Sequence, residues 1–174
     1  NKSSYYFSLA ANQNHPDAQF NLGNIYHIGQ YVPQDINKSI YYLEKAANQN
    51  NPQAQFNLGV IYEEGQYISR DINKFIYYYS LAAHQNQPNA QFILGMIYYE
   101  GQYIPQDINK SFYYLEKAAK QNHPKAQFKL GIIYYLTISI KQYIKKWIYW
   151  IIQSSNNEYT QAHFVLGFLY QEGK

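Results

Sequence analysis

Residues 18–23 read AQFNLG, and the pattern returns as AQFNLG at 54–59, AQFILG at 90–95, AQFKLG at 126–131 and AHFVLG at 162–167. Successive copies start 36 residues apart. The closing glycine recurs as Gly23, Gly59, Gly95, Gly131 and Gly167, and a tyrosine follows three residues later at Tyr26, Tyr62, Tyr98, Tyr134 and Tyr170. Five copies in one register do not arise from composition. A fixed period of this length marks a chain built from stacked copies of one supersecondary unit.

Outward from the first copy, residues 17–28 carry Ala18, Leu22, Ile25 and Tyr26 at helical spacing, which predicts a helix A. Gly29 stands where a helix stops in a left-handed cap, and Pro33 keeps the connection Gln30-Tyr31-Val32-Pro33-Gln34 from continuing it. Asp35 is placed to cap a second helix, B, over Ile36–Asn48, whose apolar stripe is Ile40, Leu43, Ala46 and Ala47. Asn50, tolerant of the left-handed conformation, and Pro52, suited to a first helical turn, then lead into the next helix A. The same grammar recurs around Gly65 and Asp71, and around Gly101, Pro105 and Asp107.

These spacings predict about ten helices, opening with a lone helix B over Lys2–Asn12 and closing with a lone helix A over 160–172. One hairpin of this size cannot bury its apolar face, but stacked hairpins share a continuous core. The expected fold is all-α: a right-handed α-solenoid of stacked antiparallel helix pairs, one solenoid over 1–174, with repeats starting near 18, 54, 90, 126 and 162. Both ends cut through the repeat and residue 1 is not Met, as expected of a piece of a longer protein. The mid-helix glycine of each copy is read as the point where helix B approaches helix A.

The fourth repeat departs from the pattern, because Thr137, Lys141 and Tyr143 replace the Gly, Pro and Asp of the turn while the length is kept. Residues 136–140 are rich in β-branched side chains, so an atypical loop is expected there, in a place where a partner or neighbouring segment would dock.

With no Cys, disulfides and thiolate chemistry are excluded. The net charge of +3 gives no broad electrostatic reason for a phosphate-backbone partner. The 22 Tyr and 9 Phe fit an AT-rich coding sequence. No stretch reaches the ~18–20 apolar residues of a membrane span. The nearest, 134–152, is broken by Lys141, Lys145 and Lys146.

Written out, the unit is A-x-F-x-L-G-x-x-Y-x-x-G, then Val-Pro-Gln-Asp, then N-K-S-x-Y-Y-L-E-K-A-A. It resembles the Sel-one-like repeat family, a subclass of the tetratricopeptide-like solenoids. In the first complete unit the resemblance rests on Ala18, Leu22, Gly23, Tyr26, Gly29, Val32, Asp35, Lys38, Tyr42, Lys45, Ala46 and Ala47. Two departures concern loops: Tyr31, Tyr67 and Tyr103 stand where the family has a second glycine, and Asn50, Asn86 and Asn122 stand where its B-to-A turn has Gly. The resemblance implies an adaptor or scaffold role, with some relatives attached to enzymatic or kinase domains. A secreted, Cys-rich branch linked to β-lactam binding is disfavoured by the absence of Cys.

Catalytic or metal chemistry would need convergent groups, and His15, His27, His84, His123 and His163 show no metal-ligand spacing. His15 and His123 occupy the same turn position in different repeats and do not meet. Glu63, Glu64, Glu100 and Glu172 end successive A helices as a candidate acidic stripe. Asn-Lys-Ser sequons begin at Asn1, Asn37 and Asn109, in a slot that repeat grammar explains without glycans. No enzyme activity, cofactor or metal is expected. The cytoplasm is favoured over a secretory lumen.

The residues of helix A that point away from its packing face are the candidate protein-binding set, on the expectation that helix A lines the concave side. They are Phe20, Asn24 and His27; Phe56, Val60 and Glu63; Phe92, Met96 and Tyr99; Phe128, Ile132 and Tyr135; then Phe164, Phe168 and Gln171. The set grows more apolar along the chain, which suits an extended peptide or amphipathic helix. A regulatory arm of a larger enzyme such as a kinase, and an RNA-binding helical repeat, are the alternative readings. The expected partner is a protein or peptide rather than nucleic acid.

Overall fold

The local signals act where the sequence places them. In the computed structural model, which describes residues 2–29, 32–137 and 141–171, Gly29, Gly65 and Gly101 adopt φ of 71°, 63° and 66° and end their helices left-handed. Asn14, Asn50, Asn86 and Asn122 do the same between helices B and A, with φ of 61–66°. Asp35, Asp71 and Asp107 each accept the backbone N–H three residues on, from Lys38, Lys74 and Lys110, at 3.0 Å. That bond satisfies one of the orphan donors at a helix start and holds the Asp35 carboxyl below the usual carboxylate range.

The described residues form ten helices and no strands: α1 (Lys2–Asn12), α2 (Pro16–Ile28), α3 (Ile36–Asn48), α4 (Pro52–Glu64), α5 (Ile72–His84), α6 (Pro88–Glu100), α7 (Ile108–Lys120), α8 (Pro124–Thr137), α9 (Lys141–Asn156) and α10 (Thr160–Gln171). They divide into two compact units, Asn1–Gln87 and Pro88–Lys174. In the first, α1 packs on α2, the A–B pairs α2–α3 and α4–α5 form, and α3 packs on α4. In the second, α6–α7 and α8–α9 pair, α7 packs on α8 and α9 on α10. Each unit is a stack of helix pairs of the α-solenoid class.

Within a pair, the glycine of helix A lies against one large side chain of helix B. A Cβ built on Gly23 would stand 2.7 Å from Leu43 Cγ, one on Gly59 2.5 Å from Tyr79 Cε1, and one on Gly95 2.7 Å from Leu115 Cγ. Gly131 has the same relation to Ile151, whereas a Cβ on Gly167 would meet nothing within 4 Å. The α5 helix differs from its siblings at two core positions. Phe75 replaces the serine of Ser39 and Ser111, and Tyr79 replaces the leucine of Leu43 and Leu115; both are fully buried.

Between pairs, the second residue of the hexapeptide is a buried glutamine that joins three helices. Gln55 Nε2 donates to the Ala47 carbonyl at the end of α3 (3.1 Å), and its Oε1 accepts from Gln85 Nε2 after α5 (2.7 Å). Gln19 likewise bonds Ala11 O and accepts from Gln49, and Gln127 bonds Ala119 O and accepts from Asn157 Nδ2 at 2.9 Å. In the last copy His163 takes the place, its Nε2–H directed at Ser155 O (3.1 Å). Nothing in the apolar periodicity announces these residues.

The fourth connection differs from the loop expected over 136–140. Leu136 and Thr137 still belong to α8, which runs one residue longer than α6 because Thr137 replaces the left-handed glycine. The following helix starts at Lys141, three residues earlier in the repeat than its siblings, where no Pro or capping Asp delays it. Residues 138–140, like Gln30, Tyr31 and Glu172, lie outside the described set.

The same substitution should therefore act with opposite sign at equivalent positions. Gly59→Ala should destabilise by ~1–3 kcal/mol through overpacking against Tyr79. Gly167→Ala should be stabilising by about 0.5–1 kcal/mol through helix propensity. Denaturant titration of both variants measures the contrast.

Candidate protein-binding surface

Each helix A from α2 to α8 buries one side, carrying Ala, Leu and Gly, beneath helix B, which leaves the opposite side to the candidate residues. Of the three columns they form, the phenylalanines are the most committed to packing. Phe20, Phe56, Phe92 and Phe128 are half-buried. Phe56 lies 5.7 Å from Tyr79, Phe92 stacks on His123 at 4.9 Å, and Phe128 lies 5.3 Å from Tyr159. His123 and Tyr159 both open the next helix A, so these rings wedge the turn of the following repeat. Phe164 is 68% exposed.

The middle column, Asn24, Val60, Met96 and Ile132, is half-buried and faces outward. The third is mixed. Glu63 accepts the Tyr79 hydroxyl at 2.6 Å, so this carboxylate serves the enlarged core side chain of α5. Burial first, and then that bond, push the Tyr79 phenol well above its ordinary range. Tyr99 lies under Lys129, 4.5 Å from ring centroid to Nζ. Tyr135 is 61% exposed beside Trp147. Glu64 and Glu100 are exposed at the ends of α4 and α6.

Two concavities gather some of these residues. In the first unit a cleft of about 330 Å³ between α2 and α4 is lined by Asn24, His27 and Val60, together with Ile28 and Asn57. Asn57 Nδ2 donates to Asn24 Oδ1 at 2.8 Å. In the second unit a groove of about 690 Å³ is lined by Tyr135, Phe164 and Phe168, joined by Ile144 and Trp147 of α9. Asn57, Ile28, Ile144 and Trp147 escape the sequence reading because an outward column along helix A ignores the flanks that neighbouring helices add. Among the described residues no group of three His, Cys, Asp or Glu is placed to hold a metal ion, and no helix is long and apolar enough to cross a membrane.

Regular helix pairs stacked one on the next define the helical-repeat class of α-solenoids. The family model of the Sel1 repeat matches residues 1–15, 16–51, 52–87, 88–123 and 124–137, and the chain belongs to that family. The matches stop where the fourth turn loses its Gly, Pro and Asp. A crystal structure of a Sel1 repeat protein from Oxalobacter formigenes is similar at 33% identity and TM-score 0.87, over 98% of this chain and 70% of that one. The protective antigen c5321 of uropathogenic Escherichia coli, which displays an SLR fold, is 30% identical with TM-score 0.89. It is matched over 97% of this chain, which spans 36% of c5321. Cysteine rich protein B of Helicobacter pylori shows 27% identity and TM-score 0.56, over 72% of this chain and 90% of its own. No curated protein matches the sequence. Proteins of this family generally act as protein-interaction scaffolds and are typically non-enzymatic.

The packing of Phe92 depends on a titratable group. His123 Nδ1 accepts the Ala126 N–H at 3.2 Å, and Nε2 lies 3.0 Å from Asn89 Oδ1, so the neutral Nε2–H tautomer satisfies both. Burial, the largest cause, holds its pKa below the ordinary value. The unfolded chain then takes up the proton first, so the contribution to stability is full above the ordinary histidine range. It is lost as pH falls through that range toward the folded-state pKa. His123→Asn, which restores the cap that Asn51 gives Ala54 at 2.9 Å, should flatten the stability profile between about pH 7 and pH 5. Thermal unfolding of the two proteins across that window checks it.

Proposed function

We propose that this chain is a protein-interaction scaffold that grips a peptide or partner domain on the A-helix faces opposite helix B. The observation that carries this reading is the division of labour on helix A. From α2 to α8 the Ala, Leu and Gly side is buried, while the column Asn24, Val60, Met96 and Ile132 stays half-exposed, with Asn24 and Val60 lining an open cleft. A solenoid core needs the first side only. An outward column that mixes amides with apolar side chains gives what peptide recognition uses, apolar anchors beside a few placed polar groups. The family's scaffold role supports the same reading.

A site-specific photocrosslinker separates this surface from the rest of the molecule. Benzoylphenylalanine at Val60 or Met96 should give saturable adducts with proteins of the source cell. The same group at Tyr41 or Tyr113, exposed on helices B, should give background labelling only. Adducts that favour the helix B positions, or none at any position, would overturn the assignment.

A further inference from the structure

We infer that the paired amides of Asn24 and Asn57 form a reader of extended peptide backbone, a subsite that rests on the binding role proposed above and specifies its ligand. Asn24 lies on α2 and Asn57 on α4, and their side chains meet at the cleft where the two A helices face each other. The bond between them uses one N–H of Asn57 and the carbonyl oxygen of Asn24. What remains is a donor on Asn24 and an acceptor on Asn57, on two amides already joined by that bond, and among the described residues neither atom has a protein partner. Exchanging O and N on both side chains leaves the same result, one free donor and one free acceptor on the bonded pair. The reading therefore does not depend on how the amides are oriented.

A free donor beside a free acceptor is the complement of a peptide residue in extended conformation, whose own N–H and C=O point to the same side of the strand. The surroundings choose among ligands that share that edge. Val60 and Ile28 flank the amides with apolar surface, Ile28 being 68% exposed, and among the described residues His27 is the only titratable side chain lining the cleft. Among the described residues no Lys or Arg lines it to meet a phosphate, which disfavours an adenine of RNA, the other common partner of an asparagine amide. The cleft volume of about 330 Å³ sits at the low end for ligand sites and suits one or two peptide residues with a small apolar side chain directed at Val60. The other repeats do not carry the pair. The positions of Asn24 and Asn57 are Met96 and Lys129 in the second unit, so the subsite is local and fixes the register of a bound chain.

The test selects binders to the 174-residue chain from a phage-displayed random peptide library. The best peptide is then synthesised with its normal backbone and with single amide-to-ester replacements. Asn24→Leu and Asn57→Leu should each weaken binding about tenfold while leaving the helical signal and unfolding midpoint near those of the parent. One ester position should cost a similar factor against the parent and nothing against the one variant that lacks the oxygen accepting the peptide N–H, while it keeps its cost against the other. Peptides that bind the variants and the parent equally would overturn the subsite and leave the scaffold role standing. Failure to select any saturable binder would overturn both. Retention of an adenine-rich oligonucleotide that is lost in Asn57→Leu would overturn the peptide assignment in favour of RNA.

Discussion

A glutamine buried where three helices meet is the contact on which the regular stacking rests. Gln55 ties the last turn of α3 to the end of α5 through α4, and Gln19 and Gln127 do the same for their neighbours. Apolar faces attract without direction, and an Ala- and Leu-lined seam tolerates small slips. A buried amide does not, because a shift that breaks its bonds leaves polar groups unsatisfied at about 1–3 kcal/mol each. The glutamines thus convert a greasy seam into one with a defined register. In a molecule held together by nearest-neighbour terms, that register passes from repeat to repeat within each unit.

Where a signal depends on residues close in sequence, it was legible. The left-handed glycines and asparagines, the capping aspartates and the prolines at helix starts act through their own backbone or the next three residues, so the helix bounds followed from the sequence nearly unchanged. The mid-helix glycines were also readable, since only a close approach explains a glycine recurring inside a helix. Gln55 was invisible because its partner Gln85 lies 30 residues away and a polar residue at that position looks like solvent-facing filler. The fourth connection was half-legible. Losing Gly, Pro and Asp foretold a change, but those losses lengthened the flanking helices instead of producing a loop from Leu136 onward.

The candidate surface was legible as a direction and much less so as a site. Helical periodicity placed Asn24, Val60 and Met96 on the outward side. It could not show that Glu63 is engaged by Tyr79, since that pairing follows from an enlarged side chain on another helix. Nor could it bring Asn57 beside Asn24, which takes the offset between adjacent A helices. The first unit consequently presents paired amides in a small cleft, and the second a wider aromatic groove around Tyr135, Phe164 and Phe168. Both sit on the scaffold that the Sel1 repeat supplies.

The central claim, that a buried amide bridge sets the coupling between repeats, is tested most directly by a double-mutant cycle of Gln55→Leu and Gln85→Leu measured by equilibrium unfolding. The account predicts that each single change destabilises and that the pair costs less than the two added together, with a coupling energy of about 1 kcal/mol or more. Additivity within about 0.3–0.5 kcal/mol would contradict it and return the seam to apolar packing alone.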